Sequence, residues 1–342
     1  MSDQIVELMK RPASQRDLHW LRKSLQAAVA LELSTIPVYL CGLWSIQSDP
    51  SGKASGLIRS VVWEEMLHMG IACNLLTALG TAPQIVSGYR TEIKYPSKGL
   101  PGGVRPELDV YLAGLSKEYV EKVFMQIELP EHPLTLAAET FPTISAFYDA
   151  ISRAFSTLNP TLSVTNQLTT SFDDLGKLSL KAISTVEQAV AAIEEIKEQG
   201  EGTDTSTEDS PYTQDYGNGA ELSHYYKFSE IYNEATLIQQ GGPKGPWVYQ
   251  GTPVPFPQVY PMSPIPEGGY VNPPGNASAA LQTFDGLFFC LLAGLQTAWA
   301  DGSNDELQQA INVMFLLQNA AQTLFTIELP DGSGVYGPDF II

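Results

Sequence analysis

Cysteine is scarce in this chain of 342 residues. Cys41, Cys73 and Cys290 form no Cys-x-x-Cys pair, and each sits in an apolar run. That predicts buried, reduced thiols of the kind a reducing cytoplasm keeps, rather than a disulfide framework. Basic residues are also few. Lys and Arg total 19 against 38 Asp and Glu, for a net charge of −19. A surface of that sign repels phosphate backbones and anionic lipid, so neither nucleic acid nor membrane is an expected partner. Met1 to Lys10 has no basic flank before an apolar core, so no signal peptide is expected. No clean membrane span is present either. The nearest approach, Leu281 to Ala300, is interrupted by Gln282, Asp285 and Gln296, and its longest clean run is Gly286 to Leu295. A span needs about 20 mostly apolar residues, so this stretch reads as a buried core helix. No tandem repeat of fixed period occurs.

What is present is helical periodicity. Asp17 to Gln47 carries Leu21, Leu25, Ala28, Ile36 and Tyr39 at helical spacing, and Asp49-Pro50-Ser51-Gly52 ends it. Gly56 to Leu79 forms a second helix with Gly80 as its stop signal. The short link implies an antiparallel pair. Residues 82–107 read as loop, and Lys117 to Gln126 and Thr143 to Leu158 as shorter helices. Leu178 to Gln199 and Ala220 to Gln239 read as the third and fourth long helices, joined by an acidic loop. Gly241 to Gly275 holds ten prolines and five aromatic residues. It cannot be helical, and it is expected to wrap the body. Two apolar helices, Ala277 to Ala300 and Asn304 to Thr326, close the chain. The expected division is a bundle over 17–240 and a proline-rich segment with two packed helices over 241–342.

The chemistry lies in carboxylates that interrupt apolar stripes. Glu65 and His68, in Trp63-Glu64-Glu65-Met66-Leu67-His68, stand at i and i+3 on one helix face. At about 100° per residue Glu65 falls within about 40° of Ile58, Val61 and Ala72, while Glu64 is turned about 100° away. Glu32 interrupts the first helix's stripe in the same way, near Leu21, Leu25 and Ile36. A carboxylate facing a core is costly unless paired or bound to metal. The spacing recurs in Glu221-Leu222-Ser223-His224, so two of the four histidines complete Glu-x-x-His. His19 is expected at the surface and His132 in a loop, and ordinary packing is the expectation for Tyr39, Tyr148, Tyr225 and Tyr226. In a dinuclear carboxylate bundle two helices each give a Glu and the other two each give Glu-x-x-His. Five of six ligands are then Glu32, Glu65, His68, Glu221 and His224. The sixth should come from the third helix, where Glu187, Glu194 and Glu201 are in phase and Glu195 and Glu198 point away. Depth favours Glu201, provided the helix continues through Gly200, with Glu194 in reserve.

Leu31-Glu32-Leu33-Ser34-Thr35-Ile36-Pro37, the Trp63 to His68 segment, Gln199-Gly200-Glu201-Gly202 and Ser223-His224-Tyr225-Tyr226-Lys227-Phe228 together resemble the ferritin-like domain of iminophenyl-pyruvate dimer synthases, the violacein and rebeccamycin pathway type, over roughly Leu18 to Ile238. The resemblance implies an all-α, ferritin-like four-helix bundle, here with additional C-terminal helices and a proline-rich wrapping segment, and it supports Glu201 as a ligand. Mixed carboxylate and imidazole donors suit iron or manganese. The expected function is a non-haem di-iron oxidase or oxygenase that takes O2 and a small organic substrate, amino-acid-derived and in specialised metabolism. The alternatives are an iron-binding or ferroxidase protein with no organic substrate, and a metal-free structural or partner-binding bundle. A homo-oligomer is compatible with each.

Overall fold

The computed structural model describes all residues except 1–3, 131–142, 173–177, 202, 206–207, 215–219 and 243–244, and the side chains of 171–172, 201, 203–205 and 208–209 are also left aside. His132 lies outside the described residues. After a short helix α1 (Gln4–Lys10), α2 (Leu18–Trp44) begins where the Asp17 carboxylate accepts from the Trp20 amide at 2.8 Å. This N-cap satisfies one donor that the first turn leaves without an intrahelical partner. α3 (Lys53–Ala78) ends where the Gly80 backbone turns to φ 73°, and its last carbonyls are closed by Arg22, whose guanidinium donates twice to Leu79 O. The two helices form the expected antiparallel pair. Nearly every residue of α2 from Ala27 to Cys41 is buried, which accounts for a helix apolar enough to pass for a membrane span.

Where 82–107 reads as loop, the chain instead forms α4 (Ile85–Glu92) and an antiparallel hairpin of β2 (Ser97–Leu100) and β3 (Val104–Val110), β1 being Ile46–Ser48. Glycine allows this hairpin: Gly99 and Gly102 have φ of 70° and 77°, and an added Cβ would meet Val104 O at 2.7 Å and Ile5 at 2.4 Å. α5 (117–127) contains a π-helical turn at Val120–Phe124, and α6 (Ile144–Leu158) is capped by Thr143.

The third and fourth long helices are shorter than the sequence suggests. Leu178–Leu180 is a strand, β5, paired with β4 (Thr170–Phe172), and α7 runs Val186–Glu201. The pair β6 (Thr203–Thr205) and β7 (Glu208–Ser210) follows. α8 covers only His224–Asn233. Glu234 then adopts a left-handed conformation, and the chain leaves as strand β8 (Ala235–Gln239), paired with β9 (Trp247–Pro253). β-branched Thr236 and Ile238 favour that outcome.

The proline-rich stretch does wrap the body. β10 (Gln258–Val259) pairs with β1 at the end of α2, and Ile265 N donates to Leu112 O at 2.9 Å. α9 (Gly275–Asp301) and α10 (Asn304–Leu324) form a helical hairpin against α2, α3 and α4. Trp44 packs on Phe284 and Phe340. Only 22% of the most apolar window of α9 is buried, so this helix is a flank rather than the core helix expected from composition. Cys41 and Cys73 are buried as anticipated, but Cys290 on this flank is exposed.

Asn74 of α3 ties three parts of this architecture together. Fully buried, its amide donates to Leu168 O at 2.8 Å and Lys181 O at 3.0 Å, and its carbonyl accepts from Leu168 N at 3.0 Å and Trp299 Nε1 at 2.9 Å. Asn74→Ala leaves these buried partners without a mate and is expected to lower stability by about 3 kcal/mol. Urea unfolding measures this, and a loss below about 1 kcal/mol would show that Asn74 is not the tie described.

Candidate metal centre

Five ionisable side chains from four helical segments meet in the bundle interior. Glu32 comes from α2, Glu65 and His68 from α3, Glu128 from the end of α5 and His224 from the start of α8, and each is buried. They form two groups, Glu32–Glu65–His68 and Glu65–Glu128–His224, each with ligand atoms within 4.8 Å of one another. Glu65 belongs to both. Its Oε1 lies 2.8 Å from His224 Nδ1 and 3.7 Å from His68 Nδ1. Glu32 Oε2 lies 3.7 Å from His68 Nδ1, and Glu128 Oε2 lies 3.5 Å from His224 Nδ1. The imidazole rings stack 5.5 Å apart at 23°.

The surrounding side chains orient the five. Each carboxylate accepts one hydroxyl proton: Glu32 Oε1 from Tyr148, Glu128 Oε1 from Tyr39, and Glu65 Oε2 from Thr35 at 2.8 Å. The other oxygen of each faces the cluster. Each histidine is likewise engaged at Nε2, His68 with Gln199 Oε1 at 2.6 Å and His224 with Glu64 Oε2 at 2.8 Å. Nδ1 is thereby left inward, and His224 Nδ1 is buried without a well-formed hydrogen bond despite its short distance to Glu65. Second partners of this kind fix the tautomer and ring orientation of metal-binding histidines. The donor set therefore fits a pair of cations.

The expected site residues fare differently. Glu32, Glu65, His68 and His224 are brought together. Glu221 is not. α8 begins at His224 with Ser223 as its N-cap, so Glu221 precedes the helix and the i, i+3 geometry never forms. Its carboxylate is half exposed and meets Lys227 Nζ at 3.3 Å. Glu128 occupies the second group instead. It follows Phe124 by four and Val120 by eight, the same intrusion into an apolar stripe that marks Glu32, but the helix was expected to end two residues earlier. α7 does continue through Gly200, where an added Cβ would stand 3.6 Å from Glu128 Oε2. The Glu201 side chain lies outside the described residues. Glu194 is half exposed and paired with Lys197. Glu64, turned from Glu65 as expected, is nevertheless buried and held by Lys227 Nζ at 2.6 and 2.9 Å. Tyr39 and Tyr148 do more than pack, since their hydroxyls orient Glu128 and Glu32.

Electrostatics follow from burial. Desolvation pushes Glu32 above the usual carboxylate range. It acts on Glu65 too, but the close imidazoles of His224 and His68 outweigh it and hold Glu65 well below that range. Burial likewise disfavours a charged His68, yet Glu32 and Glu65 lift it to about 10. His224 is raised well above its ordinary value, with Glu128 the largest opposing influence to its burial. For Glu64, Lys227 and His224 overcome desolvation and bring it down to about 2. Without metal, the two imidazoles thus favour their cationic forms among three carboxylates, of which Glu32 is the one that burial pushes toward its neutral form.

Across the outer faces of α2 and α3, under α9 and α10, lies an apolar cavity of about 120 Å³ bounded by Ile36, Pro37, Met66, Gly70, Leu292 and Leu295 among others. Met66 and Gly70 are turned about 100° and 140° from Glu65 around α3, whereas Met69 and Ile36, which also line the cavity, stand about 40° from Glu65 and Glu32.

A raised folded-state value means that protonation of His68 stabilises the metal-free fold fully below about pH 6.5 and that this contribution is lost as pH rises through about 10. Imidazole nitrogen resonances of the metal-free protein are expected to report protonated His68 at pH 8. A neutral ring at that pH would contradict the charge balance described.

The comparisons with known proteins agree with this architecture. A family model described as ferritin-like matches residues 25–233. The crystal structure of a ferritin-like protein from Caulobacter vibrioides is similar in fold, with a TM-score of 0.60 and 21% sequence identity, covering 93% of this chain and 97% of that one. No curated protein matches the sequence. With four helical segments carrying the cluster and more than half of its length matched, the chain belongs to the ferritin-like family.

Proposed function

We propose that the protein is a dinuclear metal oxidoreductase, with iron the favoured metal and manganese the next, acting with O2 on a small, amino-acid-derived organic molecule. The observation that carries this reading is the shared Glu65 carboxylate between two Glu–His pairs, each with its outer atoms already engaged. Glu32 and His68 would hold one ion, Glu128 and His224 the other, and Glu65 would bridge them. Glu201, at the end of α7, is proposed as a sixth ligand. Bound iron would supply the electrons and open coordination positions for oxidation by dioxygen.

The chain's own contribution is positional. Tyr39, Tyr148 and Thr35 fix one oxygen of each carboxylate, and the apolar stripes of α2 and α3 keep bulk water from the donors. Lys227 neutralises Glu64, which lets Glu64 accept the His224 Nε2 proton without adding net charge. The iminophenyl-pyruvate dimer synthase resemblance suggests an amine- or imine-bearing substrate, and a cytoplasmic location suits both free thiols and ferrous iron. The competing reading, iron handling without an organic substrate, shares the metal site and separates from this one only in whether added amine is consumed with O2.

Elemental analysis after anaerobic ferrous loading is expected to find about two ions per chain. Glu65→Ala with His68→Ala should lose both, Glu128→Ala about one, and Glu221→Ala none. Retention by the double variant would sink the assignment. Because both histidines favour the cation and burial favours neutral Glu32, loading at pH 7 should also release about two to three protons per chain, measured by weakly buffered titration. Metal uptake with no proton release would show that the ions bind elsewhere.

A further inference from the structure

The α9–α10 hairpin carries a surface unlike the rest of this acidic chain. No charged residue occurs from Gly286 to Ala300 or from Leu307 to Ile327, in a protein of net charge −19. Yet much of this surface faces outward. Phe289 is 40% exposed, Phe315 54% and Leu316 51%. Between them stand the exposed amides of Gln308, Gln309, Asn312, Gln318, Asn319 and Gln322. Asp285 and Asp301 flank the uncharged run of α9, and the Arg90 guanidinium of α4 lies over the Phe289 ring, 5.5 Å from its centroid.

We propose that this face is the contact between two copies of the chain in a homodimer. Two bodies each carrying −19 repel one another, and close approach is cheapest where neither presents a charge. A basic partner would be recognised by the acidic remainder of the surface, not by the one face that lacks charge. A bilayer is a poor occupant, since the α9–α10 hairpin itself carries no Lys or Arg to meet anionic headgroups, and amides interrupt the apolar surface. A surface both neutral and amide-rich matches itself, the self-complementarity that a twofold contact requires.

The outward line of α9 gives the geometry. Ala279, Thr283, Gly286, Cys290, Ala293, Thr297 and Ala300 follow one another at intervals of 4, 3, 4, 3, 4 and 3. That is a heptad seam, and its residues are small enough for helix axes to approach to about 8 Å. The seam is about 32 Å long. With α10 beside it, the face would bury roughly 600 Å² per copy, at the lower edge of a stable interface. The midpoint of the seam falls between Phe289 and Cys290. Antiparallel pairing of α9 with its mate therefore places the Cys290 of each copy beside the twofold axis.

Gly286 offers a clean perturbation, because nothing lies within 4 Å of an added Cβ and a charged side chain there would not disturb the monomer. Analytical ultracentrifugation of the full chain is expected to show a dimer, converted to monomer by Gly286→Glu. Helicity and metal content serve as fold controls and should be unchanged. A short bis-maleimide, which adds to two thiols without redox chemistry, should link wild-type copies through Cys290 and fail on Cys290→Ser, since Cys41 and Cys73 are buried. A wild-type monomer at tens of micromolar would overturn the proposal. So would a dimer that survives Gly286→Glu without Cys290 linkage, or a monomer that floats with neutral phosphatidylcholine vesicles.

Discussion

The structure depends on burying three carboxylates and two imidazoles together in an apolar interior. None of the five is tolerable there alone, since an isolated charge in a low-dielectric core costs several kcal/mol even after relaxation. Collected around Glu65, they offset most of one another's charge, and each spends its outer polar atom on a neighbour fixed by the fold. This is why Tyr148, Tyr39, Thr35, Gln199 and Glu64 occupy the positions they do. Removing any one would leave a buried donor or acceptor unmatched. The same arrangement explains why Lys227 is buried. Glu64 supports His224, and Lys227 supplies the charge that makes a fourth buried carboxylate bearable.

Much of this was legible in the residues themselves. The stripe-and-intruder pattern on α2 and α3 located Glu32, Glu65 and His68, because those helices are long and buried and their period is unbroken. The same pattern located His224. It misassigned Glu221, since a Glu-x-x-His spacing is informative only if the helix includes both residues, and here the N-cap at Ser223 falls between them. Glu128 escaped for the converse reason. A π-helical turn in α5 changes the angular period just before it, and the residue sits at the helix end where periodicity fades. The shortening of the fourth helix is a contest between helical spacing and β-branched residues, settled by pairing of β8 with β9 rather than by local preference.

The C-terminal hairpin shows a different limit. Its apolar composition reads as core, and periodicity alone does not distinguish a helix buried on all sides from one buried on one side and neutral on the other. The distinguishing signal is the absence of charge on residues that the fold leaves outside. Bundle and hairpin thus use the same acidic composition oppositely: carboxylates gather in the interior cluster and are absent from most of the hairpin's outward face.

The most direct test of the central claim is the crystal structure of the ferrous-loaded protein with anomalous scattering measured at the iron edge. Two peaks flanking Glu65 are expected, one beside Glu32 and His68 and the other beside Glu128 and His224. A single peak, or one coordinated by Glu221 with Glu128 turned away, would contradict the account.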